Sequence, residues 1–133
     1  MFRTNILVCG GTGCHSSGSE NIKAELEKEI KKNKLENEVK VVLTGCFGLC
    51  ELGPIMIVYP EGAFYSKVKI EDIPEIVSEH IIKGRVVKRL LYKEAGKDDV
   101  VKSLNDTEFY KKQTRIALRN CGVINPENID EYI

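Results

Sequence analysis

Residues 6–14 read ILVCGGTGC, and the rest of the chain can be interpreted from this stretch. The apolar run at residues 6–8 is typical of a short buried strand, and Cys9 stands at its end. Glycines fill most of the positions between Cys9 and Cys14, which lets the backbone adopt unusual angles and approach a bound group closely. The stretch therefore predicts a strand that ends in a glycine-rich loop carrying two thiols.

A second stretch, residues 39–50, repeats this arrangement as VKVVLTGCFGLC. Its valine-rich start predicts another strand, and Cys46 and Cys50 follow at its end. Between the two stretches, residues 19–34 predict an amphipathic helix, because apolar residues recur every four positions at Ile22, Leu26 and Ile30. Parallel strands joined by a right-handed helical crossover end at the same edge of a sheet. We therefore expect the two cysteine loops to meet at one edge.

The following residues complete an α/β fold. Residues 55–59 predict a third strand, residues 60–62 a hairpin turn, and residues 63–68 the return strand. A second helix should begin after Lys69 and end at Gly84, with one apolar face formed by Ile73, Ile76, Val77 and Ile81. The order β-α-β-β-β-α predicts a mixed four-stranded sheet, with a parallel first pair and an antiparallel hairpin.

Four thiols in two short loops are the usual ligand set of an iron–sulfur cluster or of a structural zinc ion. The C-x4-C spacing of Cys9 and Cys14 and the C-x3-C spacing of Cys46 and Cys50 also suit zinc, so spacing alone leaves the metal open. A disulfide framework is not expected, because the fifth cysteine, Cys121, leaves an odd number. We expect Cys121 to be a partly buried free thiol and not a ligand.

The two histidines do not predict a Rieske centre, which needs two histidine ligands on one iron. His15 directly follows Cys14 and is expected to be a solvated loop residue, whereas His80 falls in the second predicted helix.

Charge and hydropathy exclude several classes of partner. Twenty lysines and arginines balance twenty aspartates and glutamates, so no net charge favours nucleic acid or an anionic membrane. The longest apolar stretch, residues 55–59, has the length of a strand and cannot cross a bilayer. No signal-peptide core precedes the first strand, so we expect a cytoplasmic protein in a reducing compartment, with no membrane insertion.

The C-terminal third of the chain has a different character. We expect one domain over residues 1–92 and a linker over residues 93–106, which are polar and charged. Thr107 predicts the start of a helix through about Asn120, whose apolar side should face a following domain. Residues 129–133 predict a further helical turn.

With its two cysteine motifs and the Gly53-Pro54 pair before the third strand, the chain resembles the thioredoxin-like [2Fe-2S] ferredoxin family over roughly residues 3–92. This family includes the small cluster-bearing subunit of NADH:quinone oxidoreductase. The resemblance implies a thioredoxin-like fold and one [2Fe-2S] cluster, with four iron ligands: Cys9, Cys14, Cys46 and Cys50.

The C-terminal segment carries a second resemblance. Residues 109–132, which read FYKKQTRIALRNCGVINPENIDEY, look like the lead-in to the FMN- and NADH-binding subunit of that complex. The same lead-in occurs in the β-subunits of NAD(P)-linked iron-only hydrogenases and formate dehydrogenases. The glycine-rich nucleotide site of such flavin domains is absent here, so FMN and NAD(P) are expected only in a missing downstream domain. The resemblance implies partners among the subunits of a hydrogenase or NADH-oxidising complex, together with redox partner proteins.

The expected function is one-electron transfer, with no catalysis by this part of the protein alone. All-cysteine ligation predicts a low reduction potential, on the order of −400 mV as in plant-type ferredoxins. Cys14 is expected just before the first helix, whose positive N-terminal end should favour its thiolate form. Backbone N–H groups near Gly10, Gly11, Gly13 and Gly48 should donate to cluster sulfurs. The alternative is a zinc-stabilised subunit-interaction module without redox activity, which would be colourless.

Overall fold

The chain forms a four-stranded mixed sheet in a computed structural model, which describes residues 2–93, 101, 103, 106–117, 119–120 and 129–131. The strands are β1 (Thr4–Cys9), β2 (Val39–Thr44), β3 (Met56–Tyr59) and β4 (Ala63–Tyr65). They lie in the order β2-β1-β3-β4. Strand β1 pairs with β2 in parallel, whereas β3 is antiparallel to both β1 and β4. The predicted mixed sheet is confirmed.

Helices lie between β1 and β2 and after β4. Helix α1 (Thr12–Ser16) and helix α2 (Ser19–Lys32) connect β1 to β2. After a 3-10 turn at Ile70–Asp72, the next helix starts in α form (Ile73–Glu75) and continues as a π-helix (Ile76–Ile82); the two parts together are called α3. A short helix, α4 (Glu108–Lys111), lies in the C-terminal segment, and a 3-10 turn occupies Ile129–Glu131. In the described part of the chain, no helix has the length and apolarity needed to cross a bilayer.

The pleat of the strands divides the core into two layers. Alternate residues of a strand point to opposite faces, so Ile6 and Val8 of β1 join the main core while Leu7 and Cys9 point to the other face. The main core is completed by the predicted apolar faces of α2 and α3, which are buried. The opposite layer, here called the second core, contains six buried residues: Leu7, Cys9, Cys14, Ile55, Ile57 and Phe64. The second core carries the first cysteine pair.

Two predicted elements are shorter than the sequence pattern suggested. The return strand was expected over residues 63–68 but ends at Tyr65, because the backbone of Lys67 has a positive φ of 52° that no strand can accommodate. The helix expected from Thr107 to about Asn120 ends at Lys111. A longer helix would need a buried face, and Ile116 is 84% exposed.

A buried polar pair joins the sheet to α3. The hydroxyl group of Tyr65 accepts a hydrogen bond from the Val87 N–H (3.1 Å) and lies 2.7 Å from His80 Nδ1. Since the hydroxyl proton is then free to be donated to Nδ1, His80 carries its own proton on Nε2 when neutral. Nε2 lies 3.6 Å from the nearest carboxylate oxygen, that of Glu61, which is longer than a hydrogen bond.

This pair predicts that stability falls as the pH is lowered. Burial lowers the pKa of His80 from its ordinary value near 6.5, although Glu61 opposes the shift. His80 therefore binds a proton more readily in the unfolded chain than in the folded one. The contribution of neutral His80 to stability is present above about pH 6.5 and is lost at lower pH. We expect the free energy of unfolding, measured with urea, to be lower at about pH 5 than at about pH 7.5.

The variant His80→Gln supplies the control, because it keeps a hydrogen-bond acceptor for Tyr65 and cannot titrate. The pH-dependent loss should be smaller in the variant than in the natural protein. An equal loss in both proteins would assign the effect to other groups.

Candidate metal centre

The first pair of thiols is buried beneath the sheet edge. Cys9 is the last residue of β1 and is held there because its N–H donates to the Ile55 carbonyl at 3.0 Å. Its thiol lies 3.8 Å from the Gly45 carbonyl, in the second cysteine loop. Cys9 and Cys14 are each only 1% exposed. The first pair is therefore shielded from water.

Cys14 lies within helix α1. The sequence pattern had suggested a position just before the first helix. The expectation that a helix N-terminus favours its thiolate is wrong. Burial, together with the side-chain hydrogen bond to Cys9, raises the pKa of the Cys14 thiol to about 11. A metal ion that binds here must therefore displace the proton of a buried thiol.

The second pair is exposed and lies at the end of β2. The Sγ atoms of Cys46 and Cys50 are 3.6 Å apart. Gly48 adopts a positive φ of 79°, and its N–H donates to Cys46 Sγ at 3.2 Å. This hydrogen bond lowers the pKa of Cys46. The pKa of Cys50 is raised by its hydrogen bond to Cys46 and by the negative charge of the Cys46 thiolate. The Cys46 thiol therefore ionises more readily than an ordinary cysteine thiol.

The two cysteine loops pack against each other without room for a side chain between them. A methyl group added at Gly11 would lie only 2.7 Å from Cys46 Cβ, and one added at Gly53 would lie 2.8 Å from Cys14 Sγ. At Gly13 the added group would lie 3.2 Å from Cys50 Cβ. The predicted meeting of the two loops at one edge of the sheet is confirmed.

The donor set fits an iron–sulfur group better than a single ion held by oxygen or nitrogen, since soft thiolates are the ligands of such clusters. Among the described residues, no three cysteine, histidine or carboxylate side chains form a ready-made metal site. The exposed pair lies in a loop that also contains Gly45 and Gly48, and both glycines are exposed.

The two histidines have other partners in the structure. His15 is exposed and pairs with Glu20 at 3.1 Å, while His80 lies in the buried polar pair with Tyr65 described above. Cys121 lies outside the described residues. Phe47 and Leu49, which lie between Cys46 and Cys50, are partly buried against the second core.

Sequence reasoning missed one contact at this site. The hydroxyl group of Tyr110, in α4, donates to the Phe47 carbonyl at 2.6 Å, so the C-terminal segment touches the second cysteine loop. The apolar pattern around Tyr110 had suggested only a face for a following domain. No local signal identifies a bond between residues so far apart in the sequence.

Comparisons with known proteins identify the class of this site. The sequence profile of the thioredoxin-like [2Fe-2S] ferredoxin family matches residues 2–80. A 2Fe-2S ferredoxin of Clostridium pasteurianum is 48% identical over 77 residues, which are 58% of this chain and 76% of that protein. One from Aquifex aeolicus (strain VF5) is 38% identical over 79 residues, which are 59% of this chain and 71% of that protein. The chain belongs to the thioredoxin-like [2Fe-2S] ferredoxin family.

Solved structures support the same conclusion. The thioredoxin-like [2Fe-2S] ferredoxin from Aquifex aeolicus superposes with a TM-score of 0.63 at 29% identity, covering 73% of this chain and 96% of that one. The predicted thioredoxin-like fold, the [2Fe-2S] cofactor and the electron-transfer class are thereby confirmed at the level of the family.

Two weaker likenesses concern hydrogenases. A 27-residue segment is 67% identical to part of the NADP-reducing hydrogenase subunit HndC of Solidesulfovibrio fructosivorans. The segment makes up 20% of this chain and 6% of that protein. A chain of an NAD+-reducing [NiFe]-hydrogenase superposes with a TM-score of 0.52 at 15% identity, covering 71% of this chain and 18% of that one. At this identity the second likeness shows a shared fold alone.

Proposed function

We propose that four residues, Cys9, Cys14, Cys46 and Cys50, hold one [2Fe-2S] cluster through which the chain transfers single electrons. The observation that carries this proposal is the contact of the two cysteine loops, where Gly11 leaves no space for even a methyl group against Cys46. Such close packing brings the buried pair and the exposed pair to one place. Four cysteine thiolates are the common ligand set of a [2Fe-2S] cluster.

The two pairs have different tasks in this proposal. When bound, the cluster supplies a site that accepts and returns one electron. Cys9 and Cys14 anchor it on the second core and keep water away from that side, because both are buried. Cys46 and Cys50 are exposed, so their loop is the side on which a redox partner can approach. The Gly48 N–H, already directed at Cys46 Sγ, stabilises added negative charge on sulfur.

The larger setting is part of the same proposal. We assign the chain to the N-terminal part of the flavoprotein subunit of an NAD(P)H-linked hydrogenase or dehydrogenase in the cytoplasm, with FMN and NAD(P) held downstream. The segment shared with the HndC subunit supports this setting, as does the tail pattern of residues 109–132. The boundaries of the proposed regions, residues 1–92, 93–106 and 107–133, remain predictions.

A reductive titration tests the proposed electron transfer. Anaerobically reconstituted protein should take up about one electron per chain from dithionite, with reversible bleaching of its visible bands. A matched sample loaded with zinc should take up none. Absence of reversible reduction in iron-loaded protein would overturn the proposal.

A further inference from the structure

Described parts of the C-terminal segment lie against the domain. The N–H of Val101 donates to the Tyr92 carbonyl at 2.9 Å, and Ser103 forms an antiparallel bridge with Ala63 on the edge strand β4. Thr107, only 2% exposed, caps α4 by accepting from the Tyr110 N–H. This path brings α4 to the second cysteine loop.

Tyr110 is fixed at that loop from several sides. Its hydroxyl group donates to the Phe47 carbonyl at 2.6 Å, and its ring packs against the second core. The guanidinium of Arg115 lies 4.7 Å from the ring centroid, which is a favourable cation–π arrangement. The Phe109 ring meets that of Tyr110 edge-on at 5.1 Å.

The Phe47 carbonyl, which accepts from Tyr110, belongs to the same peptide group as the Gly48 N–H, which faces Cys46 Sγ. The C=O of Phe47 and the N–H of Gly48 are the two ends of one planar unit, so fixing the oxygen also fixes the direction of the N–H. That N–H donates to Cys46 Sγ at 3.2 Å. A hydrogen bond accepted by the oxygen also polarises the peptide group and strengthens its N–H as a donor.

We propose that Tyr110 is a positioning residue for the candidate centre, because it holds the Phe47–Gly48 peptide so that the N–H stays on Cys46 Sγ. The C-terminal segment thereby influences the redox behaviour of the second cysteine loop. The redox part of this inference rests on the proposed function, whereas the effect on loop order does not.

The variant Tyr110→Phe removes the hydroxyl group and keeps the ring. Loss of one neutral hydrogen bond should raise hydrogen exchange of a peptide covering residues 44–53 about fivefold in the metal-free, full-length protein, as measured by mass spectrometry. In the cluster-loaded protein, the reduction potential should become more negative, because a weakened N–H···S bond stabilises the reduced state less.

The matched control is Tyr92→Phe. Tyr92 lies against the same second core, but it is held through its backbone N–H, which donates to the Phe64 carbonyl at 3.1 Å. Removing the Tyr92 hydroxyl group should therefore change neither the hydrogen exchange of the second cysteine loop nor the reduction potential of the loaded protein. Unchanged exchange in Tyr110→Phe, an unchanged potential in its loaded form, or equal changes in the control would each overturn the inference. If the natural protein binds no iron, the proposed function fails, and the exchange experiment still decides whether Tyr110 orders the loop.

Discussion

Replacing Cys14 with alanine should abolish cluster binding while leaving the fold intact. The change removes a buried ligand but little volume, so the second core should lose few contacts. Three remaining thiolates do not complete the usual four-cysteine set. We expect the iron content of reconstituted protein to fall from about two per chain to background, with loss of the visible bands. Far-UV circular dichroism should show unchanged secondary structure.

The matched control for this variant is Cys121→Ala. Cys121 is assigned no role as a ligand, so iron content, visible spectrum and potential should match those of the natural protein. Retention of the cluster in Cys14→Ala would remove that residue from the ligand set. Loss of the cluster in Cys121→Ala would instead show that the C-terminal segment supplies a ligand.

Replacing Gly11 with alanine should damage the centre without changing any thiol. The new methyl group would stand 2.7 Å from Cys46 Cβ and 3.1 Å from Cys46 Cα, so relief requires movement of the loop backbone. Overpacking of this kind typically costs about 1–3 kcal/mol. We expect a lower free energy of unfolding by urea and a marked loss of iron after reconstitution, because the two loops are forced apart.

Gly45→Ala is the matched control in the second loop. No atom lies within 4 Å of a methyl group built at this position. Its stability should change by no more than about 0.5 kcal/mol, with normal iron content. Equal iron loading in both glycine variants would show that the contact between the loops is not required for the centre.

Much of the architecture followed from periodicity. The spacing of Ile22, Leu26 and Ile30 predicted the buried face of α2, and all three lie in the main core. The glycine-rich loops after β1 and β2 could be placed together because parallel strands end at one edge. These inferences held because side-chain burial repeats with the period of the element that carries it.

The remaining features depend on contacts that no local pattern encodes. Helix α1 is only five residues long and has no apolar repeat, so the sequence placed Cys14 in a loop and gave the wrong direction for its pKa. The bond from Tyr110 to Phe47 joins distant segments and was not predicted. Helix α4 ends at Lys111, and Ile116, which a longer helix would need to bury, is exposed.

The most direct measurement is metal and sulfide analysis of the full chain, purified anaerobically and then reconstituted, with EPR of the reduced sample. We predict about two irons and about two sulfides per chain, and an EPR signal from a single unpaired electron that is lost in Cys14→Ala. Stoichiometric zinc in the purified protein, with no uptake of iron or sulfide on reconstitution, would contradict the assignment of a [2Fe-2S] cluster to the four cysteines.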